Sequence, residues 1–469
     1  MKNDNNKWKI LMVILVGSFM TTLDINIVNV ALPKMSVSLS VGINSIQWVV
    51  TSYLIVVSSL VLVFGRISDI IGKKKVYQKG FIVFSIGSLF CALSTNMTLL
   101  IIARIIQGVG ASMMMSCNFG IIAMCFSKNE RGRAIGILGA VVAIGTMTGP
   151  PLGGFMVSMF KWQSIFIINV PIGIVAYFLG VKLIPKEDKK SNNEFFDIKG
   201  AILFATSIIT LFYALSSGET MGFNSPLIIC SFLLFILSFL SFILIETHVK
   251  TPMVDFKLFR NKLFSAGIFC AFISYSVIYF TNIIQPFYLQ HILKMPPERA
   301  GLIMTVYPVT AAIVSPISGY LSDKIGYKFP SLIGLSATCL GIYSMSFLTI
   351  NSSYLGIILT MCLLGSGYGM FQSPNSAAVM SCVPSDKLGI AGSMNSLTRN
   401  LGMTFGISVS TTIFYSLIKL KIGHTIIGTV TANSYTFVYA MRFVYIIGAI
   451  IAIPGIVVAC FRKSDVTHL

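Results

Sequence analysis

Asp24 stands in a run that is otherwise apolar or neutral, from Leu11 to Leu32. A carboxylate near the middle of a membrane-length helix costs on the order of 2.5–3.5 kcal/mol, so it normally faces water or a polar partner. Two chemistries fit it. It could trade a proton for a cationic substrate as its surroundings change, or it could be a hydrogen-bond hub for Asn26, Asn29 or a neighbouring helix. Asn26 and Asn29 themselves either line the same cavity or bond between helices. Arg104 is a fixed cation in another apolar run. A guanidinium does not release a proton near neutral pH. It could hold a nearby carboxylate ionised or switch partners; near a helix end it could instead reach the headgroups.

Two further patterns carry polar chemistry. Tyr275, Tyr279, Asn282 and Gln285 recur at i, i+4, i+7 and i+10, and Tyr368, Gln372 and Asn375 at i, i+4 and i+7. Each set shares one helix face. Rings that give apolar contact beside amides that orient suit an amphipathic cavity, and interhelical hydrogen bonding is the competing role. Arg399 is a second deep cation and reads as the counterpart of Arg104. Asp24 is the one deep acid, so two arginines leave a central cavity neutral to positive. That disfavours divalent cations and favours monovalent cations, neutral amphiphiles or anionic lipophiles.

These side chains sit in a chain built for a bilayer. Its 469 residues are 55% hydrophobic and 10% charged, with mean hydropathy +0.85. That composition specifies a polytopic membrane protein. Apolar runs at 9–32, 45–64, 76–94, 98–123, 134–158, 164–184, 197–216, 225–246, 263–289, 299–321, 330–349, 354–380, 389–417 and 437–461 give about fourteen spans. The net charge of +19 lies in short loops. Residues 73–75, 128–133, 186–190, 250–262 and 324–328 follow even-numbered helices, while 95–98 and 351–354 carry no charge. Basic loops face the cytoplasm, and both termini follow them. The charge therefore sets topology, and no nucleic-acid platform is expected. The N-terminal run reads as a retained helix, not a signal peptide.

Several classes are excluded by what is missing. The nine cysteines are scattered and the four histidines fall in loops or the tail, so neither a disulfide frame, a metal site nor a histidine relay is expected. There is no phosphate-binding Gly-x-x-x-x-Gly-Lys-[Ser/Thr] loop. With no nucleophile–base pair either, the chain reads as neither an enzyme nor an ATPase, and needs no cofactor. An ion gradient must drive it, and a carboxylate makes the proton the simplest ion.

One loop motif occurs twice. Gly65, Asp69, Gly72, Lys73 and Lys74 lie between helices 2 and 3, and Gly319, Asp323, Gly326 and Lys328 repeat the spacing after helix 10. The first glycine allows close packing, the second a tight turn, and the Asp can accept N–H groups from the next helix or pair with the opposite segment. Such an internal repeat implies two halves. The second copy comes two helices late for a twelve-helix chain, so helices 7 and 8 form an inserted packing or lipid-facing hairpin. The expected division is 1–190, a six-helix bundle; 191–262, the insertion with its linkers; and 263–469, a second six-helix bundle.

The motifs together resemble the major facilitator superfamily, and within it the fourteen-helix drug:proton antiporters. The loop 65–75 carries the superfamily's motif. Leu23-Asp24-Ile25-Asn26-Ile27-Val28-Asn29-Val30-Ala31-Leu32-Pro33 is similar to the helix-1 motif, with Asn26 where Thr is usual. Arg104–Ala111 resembles the helix-4 motif. The run Gly145, Gly149, Pro150, Pro151, Gly153 and Gly154 resembles the helix-5 antiporter motif, whose glycines pack closely and whose prolines bend the helix. Residues 252–264 are similar to the entry to helix 9.

The resemblance implies two bundles rocking about a site at the bilayer midplane, in a bacterial plasma (inner) membrane, acting as a monomer. It implies proton-coupled export of amphipathic drugs or toxic compounds, with Asp24 and Arg104 on the proton path. Export of an endogenous lipid, siderophore or peptide would use the same scaffold, and a non-transporting receptor is the third possibility.

Overall fold

The computed structural model describes residues 4–185, 197–249, 253–254, 256–383, 388–422 and 434–462. Among these, the long elements are fourteen helices: α1 (Asp4–Ser38), α2 (Trp48–Ile71), α3 (Lys73–Leu93), α4 (Met97–Cys125), α5 (Lys128–Met159), α6 (Asn169–Leu183), α7 (Ile198–Met221), α8 (Pro226–His248), α9 (Lys262–Phe287), α10 (Pro297–Ile325), α11 (Lys328–Met345), α12 (Tyr354–Ser381), α13 (Leu388–Ile422) and α14 (Ser434–Cys460). In hydrocarbon each backbone N–H must bond within its own segment, so long apolar runs become helices. Thirteen apolar stretches, taking α6 with the short turn before it, are long and apolar enough to span a bilayer. The remaining helix, α11, is 18 residues long and less apolar, carrying Lys328, Pro330, three serines and a threonine. Its expected tail unwinds because the N–H groups of Ser346, Phe347 and Leu348 each bond three residues back, the tighter turn that ends many helices.

The sequence also marks where helices begin. Asn96 accepts from Leu99 N at 2.9 Å, Asn261 from Leu263 N at 2.9 Å and Asp197 from Gly200 N at 2.9 Å. Each satisfies an N–H that the first turn cannot. α5 stays helical through Pro150 and Pro151.

Helices α1–α6 and α9–α14 repeat one packing plan. α1 lies on α5 as α9 lies on α13; α2 and α3 flank α4 as α10 and α11 flank α12; α6 covers α1 and α3 as α14 covers α9 and α11. The largest cross-contacts between the sets are α5 on α10 and α2 on α13, and α1 also meets α9 and α4 meets α13. The same plan corrects one expectation. α4 corresponds to α12, and α13 to α5, so Arg399 on α13 is not the counterpart of Arg104. Its helix instead repeats the glycine seam of α5. Gly149 and Gly153 of α5 press on α1, and Gly402 and Gly406 of α13 press on α9.

Glycines also set the α3–α4 and α11–α12 spacing. A Cβ on Gly87 would stand 2.5 Å from Gln107 N, and one on Gly341 2.7 Å from Leu364 Cα. Gly87→Val should therefore force α3 off α4 and lower the melting temperature of the purified protein, at a cost of about 1–3 kcal/mol. Gly139→Val, where a Cβ would meet nothing within 4 Å, is the control and should melt like the wild type.

The inserted helices α7 and α8 pack on each other, and α7 also lies across both α2 and α13. Ser216 and Ser408 share a hydrogen bond of 2.7 Å, Thr412 donates to Leu215 O at 2.9 Å, and Trp48 meets Tyr213 at 6.2 Å. α8 turns Leu233, Leu237, Leu240 and Leu244 outward. The hairpin is thus lipid-facing on one helix and a strap across the two halves on the other.

Candidate functional site

Asp24 and Arg104 meet inside the first half, and both are fully buried. Arg104 Nη1 lies 2.5 Å from Asp24 Oδ2. Asp24 Oδ1 accepts from Gln107 Nε2 at 2.8 Å and from Asn169 Nδ2 at 3.0 Å. Arg104 Nε donates to Val49 O at 2.7 Å, and its Nη1 also donates to Gln107 Oε1 at 2.6 Å. The Tyr53 ring lies 4.3 Å under the guanidinium, close enough for cation–π attraction. Gln107 is fixed in turn by Ser88 at 2.8 Å. Five helices, α1, α2, α3, α4 and α6, therefore contribute to one buried charge pair.

Of the two roles the sequence left open for Asp24, the geometry displays the second, the hydrogen-bond hub. The charge of Asp24 is balanced by a cation that cannot lose its proton. A proton reaching Asp24 would leave Arg104 buried without its counter-charge, a change of several kcal/mol that the surrounding packing must absorb. Gln107, Asn169, Ser88 and Tyr53 were not singled out from sequence. The legible signal was an amide at i+3 from Arg104 and another in the apolar stretch at the start of α6.

Asn26 and Asn29 face elsewhere. Asn26 donates to Thr22 O at 2.8 Å and lies against Gly149: a Cβ there would come within 2.5 Å of Asn26 Cβ. Asn29 is buried, and its Oδ1 has no hydrogen-bond partner among the described residues. The α5 motif is a seam on two sides. Gly145 approaches Thr22, and Gly153 approaches Ile27. On the other face, Gly154 approaches Pro297 and Glu298 of α10, and Gly301 approaches Pro150. By the orientation the basic loops give, this α5–α10 seam lies at the outer end. Gln290 Nε2 donating to Val30 O at 2.9 Å closes the same end. Toward the cytoplasm Gly136 and Gly139 of α5 face open space, while Phe119 of α4 lies against Gly392 of α13.

The α2–α3 loop keeps its glycine logic. Gly72 has φ +100° and Gly326 φ +81°, a region that favours glycine. Gly65 is not tightly packed, since a Cβ there would reach only Ser116 at 3.9 Å. Asp69 does not cap α3, whose N-cap is Gly72. It takes Lys73 Nζ at 2.7 Å and is half-exposed. Lys74 binds Val181 O at 2.8 Å and also Ile184 O, tying the loop to the end of α6. The side chain of Asp323 lies outside the described residues, as do residues 186–190.

In the second half, α9, α10 and α12 bring four tyrosines together. Tyr275 and Tyr368 meet edge to face at 5.9 Å, Tyr307 and Tyr368 lie tilted at 5.9 Å, and Gln372 Nε2 donates to Tyr275 Oη at 2.6 Å. Tyr279 lies one turn beyond Tyr275, with Asn282 in hydrogen-bond reach of it. Arg399 lies within electrostatic range of Tyr279 and Tyr368, and also of Tyr53 beside the Asp24–Arg104 pair. Tyr307, Tyr368, Gln372, Asn282 and Arg399 keep partial exposure although they lie among packed helices.

Two expected cavity residues are turned away. Gln285 accepts from Tyr445 of α14 at 2.9 Å. Asn375 donates to Gly267 O at 3.0 Å and accepts from Arg462 at 2.8 Å. Both are buried interhelical bonds, because each faces another helix of the second half. Tyr307, unmarked by any motif, joins the cluster because Gly365 and Gly369 of α12 bring that helix onto α10.

The family model described as Major Facilitator Superfamily matches residues 14–259 and 265–468. The chain is 36% identical over 462 residues to the riboflavin transporter RibZ of Clostridioides difficile, covering 98% of each. It is 32% identical over 395 residues to the multidrug resistance protein Stp of Mycobacterium tuberculosis, covering 84% of this chain and 73% of that protein. An auto-inhibited POT-family peptide transporter superposes with TM-score 0.71 at 13% identity, over 97% of both chains. A bacterial homologue of the lysosomal transporter Spinster, inward-facing and unoccupied, does so with TM-score 0.68 at 14% identity, over 98% of this chain and 97% of that one.

Proposed function

The chain belongs to the major facilitator superfamily, and on that footing we propose that this multi-pass membrane transporter is a proton-coupled antiporter exporting amphipathic compounds from the bacterial cytoplasm. The observation that carries the reading is the fully buried Asp24–Arg104 pair. A lone titratable acid, locked to a fixed cation inside the membrane, is the kind of group whose proton can be exchanged only when the bundle rearranges. The outer α5–α10 seam and the open space beside Gly136 and Gly139 suit a carrier that collects its cargo from inside. No cofactor is needed beyond the proton gradient, and a single chain holds every group the cycle uses.

The 36% identity to a riboflavin transporter favours a second reading, in which the cargo is an endogenous heteroaromatic and not a drug. Both readings share the scaffold. The test is proton-coupled flux in liposomes holding the purified protein. With an imposed pH gradient, addition of substrate should move protons in the opposite direction, and a protonophore should abolish substrate accumulation. Substrate flux indifferent to the gradient and to the protonophore would sink the antiport reading.

A further inference from the structure

The tyrosine wall of the second half combines an aromatic platform with a positive charge, and among the described residues no acid bonds to it. Tyr275, Tyr307 and Tyr368 come from three helices and touch edge to face or at a tilt. Tyr275 is buried, while Tyr307 and Tyr368 keep partial exposure, so these two rings are the ones that can offer surface to a flat guest. Gln372 is fixed to Tyr275 Oη, and its carbonyl end is left to meet a polar ring edge. Gly402 of α13 packs on Tyr275, and Arg399, one turn before it, lies within electrostatic reach of Tyr279 and Tyr368 and also of Tyr53, where the acid in range is Asp24. Arg399 forms no ion pair among the described residues.

Neither Asp24 nor Glu246 compensates for it. Asp24 is sealed at zero exposure and already neutralised by Arg104. Glu246 lies in the inserted hairpin, where its Oε1 accepts from Val254 N at 2.7 Å. A tyrosine cage alone would attract cations through its ring faces. A fixed guanidinium beside it, in a medium of low dielectric, reverses that preference, because like charges at close range repel strongly there.

We propose that this wall is a charge filter for the transported molecule: it accepts a planar aromatic ring system that is uncharged or anionic and rejects lipophilic cations. Arg399 sets the charge preference, and Tyr307 and Tyr368, held from behind by the buried Tyr275, set the shape. The inference rests on the reading of this chain as a transporter with its cargo in the central cavity.

The test is equilibrium binding to the purified full-length protein, which does not require transport. The probes are riboflavin (uncharged), its 5′-phosphate (anionic) and ethidium (cationic). Stacking on tyrosine quenches flavin fluorescence. The wild type should bind both flavins at least tenfold tighter than ethidium. Arg399→Gln should erase that margin, Arg399→Lys should keep most of it, and Tyr368→Leu should weaken flavin binding about tenfold while Tyr368→Phe does not. Because the wild-type comparison needs no substitution, misfolding of a variant cannot hide the answer. Ethidium bound as tightly as the flavins by the wild type, or an unchanged ratio in Arg399→Gln, would overturn the filter. Flavin binding without proton-coupled flux would leave the filter standing and overturn the antiport reading. Proton-coupled flux with a preference for cations would do the reverse.

Discussion

Asp24→Asn is expected to stop proton-driven transport, by at least a hundredfold, and to lower the melting temperature as well. The two effects have different origins. Asn keeps the shape and can still accept from Gln107 and Asn169, but it removes the negative charge 2.5 Å from Arg104. The guanidinium is then left buried beside Val49 O, Gln107 and the Tyr53 ring. Breaking one side of a buried pair generally costs about 3–5 kcal/mol, because the survivor's charge is uncompensated. Arg104→Gln alone should cost a similar amount, with the carboxylate as the stranded charge. The double variant Asp24→Asn, Arg104→Gln strands neither. It should regain most of the lost stability, so that the double-mutant cycle gives a coupling of at least ~2 kcal/mol. It should nonetheless transport no better than either single variant, since no group at this site can take up a proton. Melting curves and proton-coupled flux on the same four proteins decide the matter. A double variant that transports normally would make the pair purely structural, and a coupling near zero would mean that the pair does not form.

Much of this was legible in the residues. The fourteen runs were readable because a bilayer demands uninterrupted apolar length, and most helix limits fall within a few residues of them. The doubled loop motif announced two halves, and Gly72 and Gly326 do take the positive φ that a tight turn between helices requires. What periodicity could not say is which way a helix faces. α1 is apolar on nearly every side, so nothing in its sequence told whether Asp24 looks into the cavity or into its own bundle. The structure turns it into the bundle. The same gap explains Gln285 and Asn375, whose spacing matched the cavity tyrosines but whose nearest neighbours are Tyr445 and Arg462. It also explains the mistaken likeness of Arg399 to Arg104, since two deep arginines look alike until the helices around them are paired. Tyr307 was invisible for the opposite reason. It belongs to no motif, and the glycines that deliver it are on another helix.

The outer seam is where the second large effect is expected. Gly301 of α10 lies against the backbone of Pro150, and Gly154 of α5 lies against Pro297 and Glu298. These are backbone-to-backbone contacts, so the neighbour cannot rotate out of the way as a long side chain would. Glycine there lets two helices approach closely without a hydrophobic driving force, which lipid does not supply. Gly301→Val should therefore hold α5 and α10 apart at their outer ends while leaving each bundle's interior intact. Pro150 and Pro151 lack backbone N–H groups, so α5 is poorly able to mend the seam with new hydrogen bonds. The expected outcome is a folded protein whose melting temperature falls only modestly but whose transport drops at least tenfold. Spin labels on the outer ends of α5 and α10 should report a longer mean separation than in the wild type. Gly136→Val, on the same helix but facing open space, should change neither the distance nor the rate. If Gly301→Val transports at the wild-type rate with an unchanged label distance, the seam is packing alone and closure of the outer side depends on α2, α7 and α13 instead.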